Sequence, residues 1–514
     1  MAEGSIERRI LIGLISSGEY IGKIRKVCDP ALFQSKMASR ISEWCLEYYD
    51  KYGRAPGLDI EGIYFDKLKA GLPKDIAEEI AEDILPDLSE EYVSTALDVS
   101  YLTDQTIAHF HERTLLTIGQ GVLDYVEKGK LTDATELITT YSPVTATGLV
   151  SPFINLADPT SRARIRKAFA EGQKPLFTYP GALGTFWNHQ LVRGGFIALM
   201  GSEKRGKSYW LLDMAVRASR QGVPVIFFQA GDMTESQQLR RLCIHLAKRS
   251  DMNKYCGVMH EPTKDCIHNQ RDTCTKGIRE CSFGVFPAKT EKELRTEITF
   301  DDLKEALIQN PDYAPCYNCS EYKTKNWGTP WLTQVDVGGA LEEEEAVLVT
   351  DKFFSTVGRN FYVATYPNDS LTLTEMRAVL KQLPVRPGFI LVDYADLMVP
   401  AVKGDHRHGQ NSIWKGLRAI GQEEDTLLVT VTQADALSYE KNTLSMKNFS
   451  EDKRKYGHVT AMYGLNQDSK SREKKIGVMR LNELVMREGY FDTTNTCHVL
   501  QNLARGLPFI TSYL

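Results

Sequence analysis

The spacing of apolar and polar positions divides the chain into two regimes. Up to about residue 143, apolar residues recur at three- and four-residue intervals, as in RISEWCLEYYDKY (40–52) and DLSEEYVSTALDVSYLTDQTIAHFHERTLLTIGQGVLDYV (87–126), without the glycine-rich turns and β-branched runs that accompany strands. This predicts an all-α domain over residues 1–143. The composition then changes to prolines, glycines and small polar residues in TYSPVTATGLVSPFINLADP (140–159), followed by the strongly basic DPTSRARIRKAFAEGQ (158–173). That is a linker, 144–175, carrying one short helix. From about residue 176 to 514, short apolar runs (FIALM, VPVIFF, GFILVDY, TLLVTVTQ and HVLQ) alternate with helical patterns. The alternation is the βαβ signature, so the expected fold class is α/β, a parallel sheet flanked by helices. It stops between about 251 and 345, which marks an insertion, and within that insertion TEKELRTEITFDDLKEALIQN predicts a strand and a helix.

Length and charge bound this picture. At about 150 residues per domain, a chain of 514 residues with 42% hydrophobic residues holds several domains with real cores. Its 62 basic and 67 acidic residues give a net charge of -5, so any nucleic-acid contact has to come from a local patch. The amino-terminal RRILIGLISSGEY pairs two arginines with an apolar run, but the run is short and lacks a small-residue cleavage site, so a helix is expected there and not a secretory signal. No segment approaches the roughly 18 apolar residues of a membrane span, and a cytosolic location without membrane contact is expected.

The end of FIALM adds chemistry. Residues 201–208 read GSEKRGKS, from Gly201 through Ser202, Glu203, Lys204, Arg205 and Gly206 to Lys207 and Ser208. Glycines at 201 and 206 permit a tight backbone whose N–H groups surround phosphates, Lys207 supplies charge for the β and γ groups, and Ser208 can hold Mg²⁺. A strand before it and the helical SYWLLDMAVRASRQG after it put a positive helix end at the phosphates of a nucleotide. Asp393, closing the apolar GFILVD, is the acid expected for the Mg²⁺ shell. Asp232 follows another strand and is the candidate base for an attacking water; it also reads as a solvated residue ahead of the next helix. Gln433 ends TLLVTVTQ, where a neutral donor can sense the γ-phosphate.

Six of the ten cysteines crowd between Cys256 and Cys319. In a reducing compartment this suggests a metal and not a disulfide framework. Cys316 and Cys319 form a tight C-x-x-C, and Cys266 with Cys274 supplies a second pair. Four thiolates with little hydrophobic material around them suit a structural Zn²⁺ holding the insertion together. Cys256, His260, His268 and Cys281 are rival ligands.

Taken in order, the strand before GSEKRGKS, VIFFQAGDMTESQQLRRL, ILVDYADLM and TVTQ resemble the RecA-like P-loop motor of DnaB-type replicative helicases. RRILIGLISSGEYIGKI and APGLDIEGIYFDKL resemble that family's amino-terminal helical domain, and YPGALGTFWNHQLVRGGFIALMG and YPNDSLTLTEMRAVLKQL fit the same template; residues of about 251–345 lie outside the likeness. The resemblance implies a homo-hexameric ring that hydrolyses ATP to translocate on single-stranded DNA at a replication fork, 5′ to 3′, with a primase or helicase loader as further partners. It implies that Arg487, in VMREGYF, completes the site of a neighbouring copy. DNA would meet loops after the Asp393 and Gln433 strands, through Lys403, Arg407, Lys447, Lys453, Arg454 and Lys455. Two positions depart from the family: Asp232 stands where Glu is usual, so that either the water sits closer or another acid such as Glu235 assists, and Val485 replaces a lysine. These leave a second reading open, a DNA-dependent ATPase acting as a loader or regulatory switch without unwinding. The setting is a bacterial cytosol, and the metal insertion is suited to a phage-encoded replisome.

Overall fold

A computed structural model describes residues 3–25, 27–83, 98–140, 161–171, 174–323, 325–356, 360–400, 406–435, 438, 441–448, 453–468, 470–487, 489, 491–492 and 494–514. The chain forms two compact units, Met1–Arg162 and Ala163–Leu514. Among the described residues no helix is long and apolar enough to cross a membrane.

The described part of the first unit is helical, with helices at Glu3–Ser16, Gly18–Ile24, Lys36–Tyr52, Asp59–Lys69, Lys74–Asp83, Val99–Glu127 and Leu131–Thr140. Their ends follow local chemistry. Ser17 and Ser35 accept the Tyr20 and Ala38 N–H groups at 3.2 Å, and Gly53 stops the third helix at φ 68°. Apolar stripes meet in a core that includes Ile10, Leu14, Tyr20, Trp44 and Phe110. Of the expected linker, residues 161–171 and 174–175 are described, and the basic helix spans Ser161–Glu171.

The described strands of the second unit are β1 (Phe196–Gly201), β2 (Val225–Ala230), β3 (Val258–Cys266), β4 (Gly328–Asp336), β5 (Phe361–Tyr366), β6 (Phe389–Asp393), β7 (Leu427–Gln433), β8 (Ala461–Asn466), β9 (Val478–Met486), β10 (Thr496–Asn502) and β11 (Leu507–Tyr513). All but β3 and β4 join one nine-stranded sheet in the order β11-β10-β9-β8-β1-β7-β6-β2-β5. The six strands from β8 to β5 are parallel, as the alternation predicts; β9, β10 and β11 are antiparallel. The sheet is therefore mixed and not wholly parallel. The reason lies in the connections: the links 467–477, 487–495 and 503–506 are each shorter than the dozen or so residues that a crossover to a parallel neighbour needs.

Helices cover both faces, so the central strands are continuous apolar runs. Along β1, Ile197 and Leu199 face the helix Lys207–Arg220, while Phe196, Ala198 and Met200 face the helices Leu373–Gln382 and His406–Glu423. Burial on both sides fixes the register, and with it the level at which each strand ends.

In the insertion, β3 and β4 pair antiparallel. Where a strand and a helix were expected from 290 to 310, two helices form, Glu291–Thr296 and Phe300–Gln309. Each is opened by a capping box, Thr290 with Glu293 and Thr299 with Asp302, and those reciprocal bonds outweigh the strand-like TEITF. The insertion is also better packed than its polar sequence suggests. Leu294, Leu303, Tyr313, Trp331 and Leu332 form a core continuous with Val478, Leu500 and Tyr513 of the antiparallel strands.

Candidate active site

β1 delivers the chain to Gly201, and a helix restarts at Lys207. The turn between them depends on left-handed backbone, with Lys204 at φ 59° and Gly206 at φ 80°. At Gly206 a Cβ would also lie 2.8 Å from Leu503 Cδ1, so two constraints favour glycine there. Side chains of the turn brace it against the rest of the unit: Ser202 Oγ to Ser438 Oγ at 2.7 Å, Arg205 to Gln467 at 2.8 Å, and Glu203 accepting from Gln433 Nε2 at 2.9 Å. What remains directed at a ligand is the backbone, together with Lys207 and Ser208, at the amino end of a 14-residue helix.

The Lys207 ammonium donates to the carbonyls of Gly201 and Ser202 at 2.8 and 2.9 Å. Burial lowers its pKa to about 8, against the opposing pull of Asp393, Glu203, Asp396 and Asp232. Asp393 is buried at the end of β6, and neither carboxylate oxygen has a well-formed hydrogen bond. Burial raises its pKa to about 6; the Ser208 hydroxyl, Arg241 and Lys207 draw it down, and Asp232 adds to the rise. A buried carboxylate short of donors, beside a hydroxyl, fits a hard divalent cation such as Mg²⁺.

Register brings the rest together. Gly201 pairs with Gln433 across β1 and β7, and Asp393 pairs with Gln229 across β6 and β2, three residues before Asp232. All therefore lie at the carboxyl ends of the parallel strands, where open α/β sheets place their ligand crevice. Glu203, Lys204, Gly206, Lys207, Ser208, Asp232, Asp393 and Gln433 line one cleft of about 450 Å³. Glu235 lines an adjoining depression instead. The sequence reading missed Tyr209, Arg241, Tyr394 and Leu503, which share the cleft. Arg241 is the consequential omission, a further cation beside Lys204 and Lys207, supplied by the helix that follows Asp232 and resting 5.5 Å from the Tyr209 ring centroid. The paired arginines of QLRRL were its only signal.

Other expected residues lie elsewhere. Arg487 is exposed at the far end of the sheet, its backbone N–H on Thr460 and its guanidinium on the Gly457 carbonyl. It does not join the cleft of its own chain. Lys403 lies outside the described residues, as do the side chains of Arg407, Lys447 and Lys453. Arg454 is exposed. Lys455 is fully buried in an ion pair with Asp396, 2.7 Å away, and so cannot contribute to a solvent-facing DNA loop in this conformation. Cys266, Cys274, Cys316 and Cys319 line a single cavity of about 230 Å³ in the insertion. Among the described residues, however, no three His, Cys, Asp or Glu side chains stand close enough together to hold an ion, so the expected tetrahedral cluster is not formed as such.

No protein-family model matches the sequence, and no curated protein matches it either. Similar solved structures include one described as a DnaB-like replicative helicase and its interactions with primase, with a TM-score of 0.46 and 11% identity over 98% of each chain. Another is described as an ATPase domain, with a TM-score of 0.44 and 11% identity over 70% of this chain and 100% of that one.

Proposed function

We propose that this chain is an ATP-hydrolysing motor of the DnaB-type helicase class, acting as a homo-hexamer that translocates 5′ to 3′ on single-stranded DNA. Its ions on this reading are Mg²⁺ at the nucleotide and Zn²⁺ in the insertion. The observation that carries the proposal is the cleft at the strand ends, where Lys207, Ser208, Asp232, Asp393 and Gln433 meet around one space of nucleotide size. Lys207 and the turn's backbone N–H groups bind the β- and γ-phosphates. Ser208 and Asp393 would hold Mg²⁺, which when bound neutralises phosphate charge. Asp232 accepts the proton of the attacking water, and its exposed position leaves room for that water in front of the shorter carboxylate. Gln433 reports on the γ-phosphate through its bond to Glu203 in the turn. Arg487 serves the site of a neighbouring copy.

Hydrolysis of Mg–ATP and separation of a forked duplex, measured beside a Lys207→Ala control, test the proposal. Strand separation that depends on Lys207 supports it. DNA-stimulated hydrolysis without separation supports the loader or switch reading, and hydrolysis indifferent to Lys207 overturns both. Particle mass with an ATP analogue and Mg²⁺ tests the six-subunit ring.

A further inference from the structure

We propose that the insertion binds one structural Zn²⁺ through Cys266, Cys274, Cys316 and Cys319, with Cys256, His260 and Cys281 excluded. This deepens the reading of the insertion and is independent of what the motor acts on.

The two cysteine pairs are separated by about forty residues of chain, yet the fold brings all four to the wall of one cavity. A single buried carboxylate ties the two segments together. Asp265 Oδ1 accepts the backbone N–H of Cys266 at 2.7 Å and of Cys316 at 2.8 Å, the first cysteine of each pair. Its other oxygen accepts the Tyr313 hydroxyl at 2.6 Å, and Asn269 Nδ2 reaches Oδ1 at 3.1 Å. The ends of both ligand segments are thus held by a saturated, fully buried anchor, which is the kind of support that orients metal ligands.

The rivals separate on position. Cys256 stands away from the cavity, its thiol against the Ser250 and Met252 carbonyls. His260 packs on the edge of Phe300 with ring centroids 6.3 Å apart, and neither it nor Cys281 lines the cavity. His268 does line it, with its ring edge-on to Trp327 and its Nδ1 paired with Thr273 Oγ1 at 3.0 Å; its Nε2 is the competing donor, and the His268→Ala variant separates it from the four thiols. All ten cysteines are free, so no disulfide competes for the four thiols. Four soft donors select Zn²⁺ over the hard cations that suit the nucleotide cleft. Lys276 and Arg279 line the same cavity, each already paired with a carboxylate, Glu321 at 3.2 Å and Asp272 at 2.7 Å. Binding requires the thiols to close in on the ion, because their present spacing does not form a ligand cluster.

Full-length protein purified without chelator is assayed for metal content and thiols. About one zinc per chain is expected, lost from the Cys316→Ser and Cys274→Ser variants and retained by Cys256→Ser, Cys281→Ser and His268→Ala. Should the serine variants fail to fold, the wild-type protein loaded with Co²⁺ decides: strong tetrahedral thiolate–cobalt absorption supports the site, and a weak octahedral spectrum overturns it. Wild-type protein that carries no zinc, or zinc retained in every cysteine variant, also overturns it. Lys207→Ala protein keeps its zinc whether or not the motor proposal stands, so the two failures remain distinguishable.

Discussion

Lys455 offers a sharp test, because charge pattern and packing give it opposite roles. It belongs to the basic run DKRK, which suggests a phosphate contact. Yet its ammonium is 2.7 Å from Asp396 Oδ1, with no exposed side-chain surface, and lies 5.7 Å from the Trp414 ring centroid. Asp396 is 8% exposed and also accepts Thr432 Oγ1 at 2.7 Å and Trp414 Nε1 at 3.3 Å. Lys455→Met keeps the stem and removes the charge, leaving a carboxylate in the interior. Breaking one side of a buried pair costs about 3–5 kcal/mol; the two surviving neutral donors put the loss at the lower end, about 3 kcal/mol. For a large unit this corresponds to a melting temperature lower by roughly 5 °C. Calorimetry should show that drop, and Lys455→Met combined with Asp396→Leu should recover most of it. Binding of single-stranded DNA, followed by anisotropy across a salt series, should keep its slope in Lys455→Met. Arg454→Ala, by contrast, should lose about one unit of slope without changing the melting temperature. If Lys455→Met melts like wild type and loses slope instead, the buried pair does not describe the working protein.

The cleft also predicts a pH profile. With Asp393 titrating at about 6 and Lys207 at about 8, Mg–ATP affinity should fall below the first value and above the second; Lys207→Arg should erase the alkaline limb, and a wild-type titration without that limb counts against the assignment. Because burial raises Asp393 from 3.8, its contribution to stability is present below pH 3.8 and is lost as pH rises through about 6. Asp393→Asn should therefore unfold later than wild type at pH 7, by up to about 3 kcal/mol, while losing hydrolysis; an unchanged or lower stability would contradict the burial argument. Gly206→Ala should weaken ATP binding about tenfold or more, from left-handed strain of about 1–2 kcal/mol plus the Leu503 clash, read by calorimetric titration; unaltered affinity would show that the turn does not need its glycine. Lys207→Ala and Arg487→Ala proteins, each inactive, should regain hydrolysis when mixed, whereas Arg241→Ala with Arg487→Ala should regain it only if Arg241 serves its own chain's cleft.

Much of the motor was legible because its signals are local. Runs such as FIALM and FILV are apolar throughout, which only a strand covered on both faces tolerates, and the glycines of GSEKRGKS mark a turn that a Cβ would disturb. What escaped depends on partners distant in the chain. Tyr313 and Trp331 read as scattered aromatics until β3 and β4 pair and place them against Val478 and Leu500. Lys455 looks solvated until Asp396, 59 residues earlier, is found beneath it. Charge in a loop carries no record of which way it faces.

The position of Arg487 follows from sheet polarity and bears on how many chains make one site. Its N–H donates to Thr460 O, and the Thr460 N–H donates to Phe196 O at 2.7 Å, so it stands level with the beginning of β1. Lys207 grips Gly201, at the end of that strand. Five residue steps at about 3.3 Å separate the two levels by about 17 Å, well beyond the reach of an arginine side chain. No rotamer brings Arg487 to its own cleft while β1 keeps its length. Any role for it in hydrolysis must therefore act between copies, whereas Arg241 already lines the cleft of its own chain. A loss of activity in Arg487→Ala alone would be equally consistent with damage to the sheet edge, where its guanidinium holds the Gly457 carbonyl. Recovery on mixing is what separates a shared site from a weakened fold, because a misfolded edge cannot be repaired by an intact arginine on another subunit.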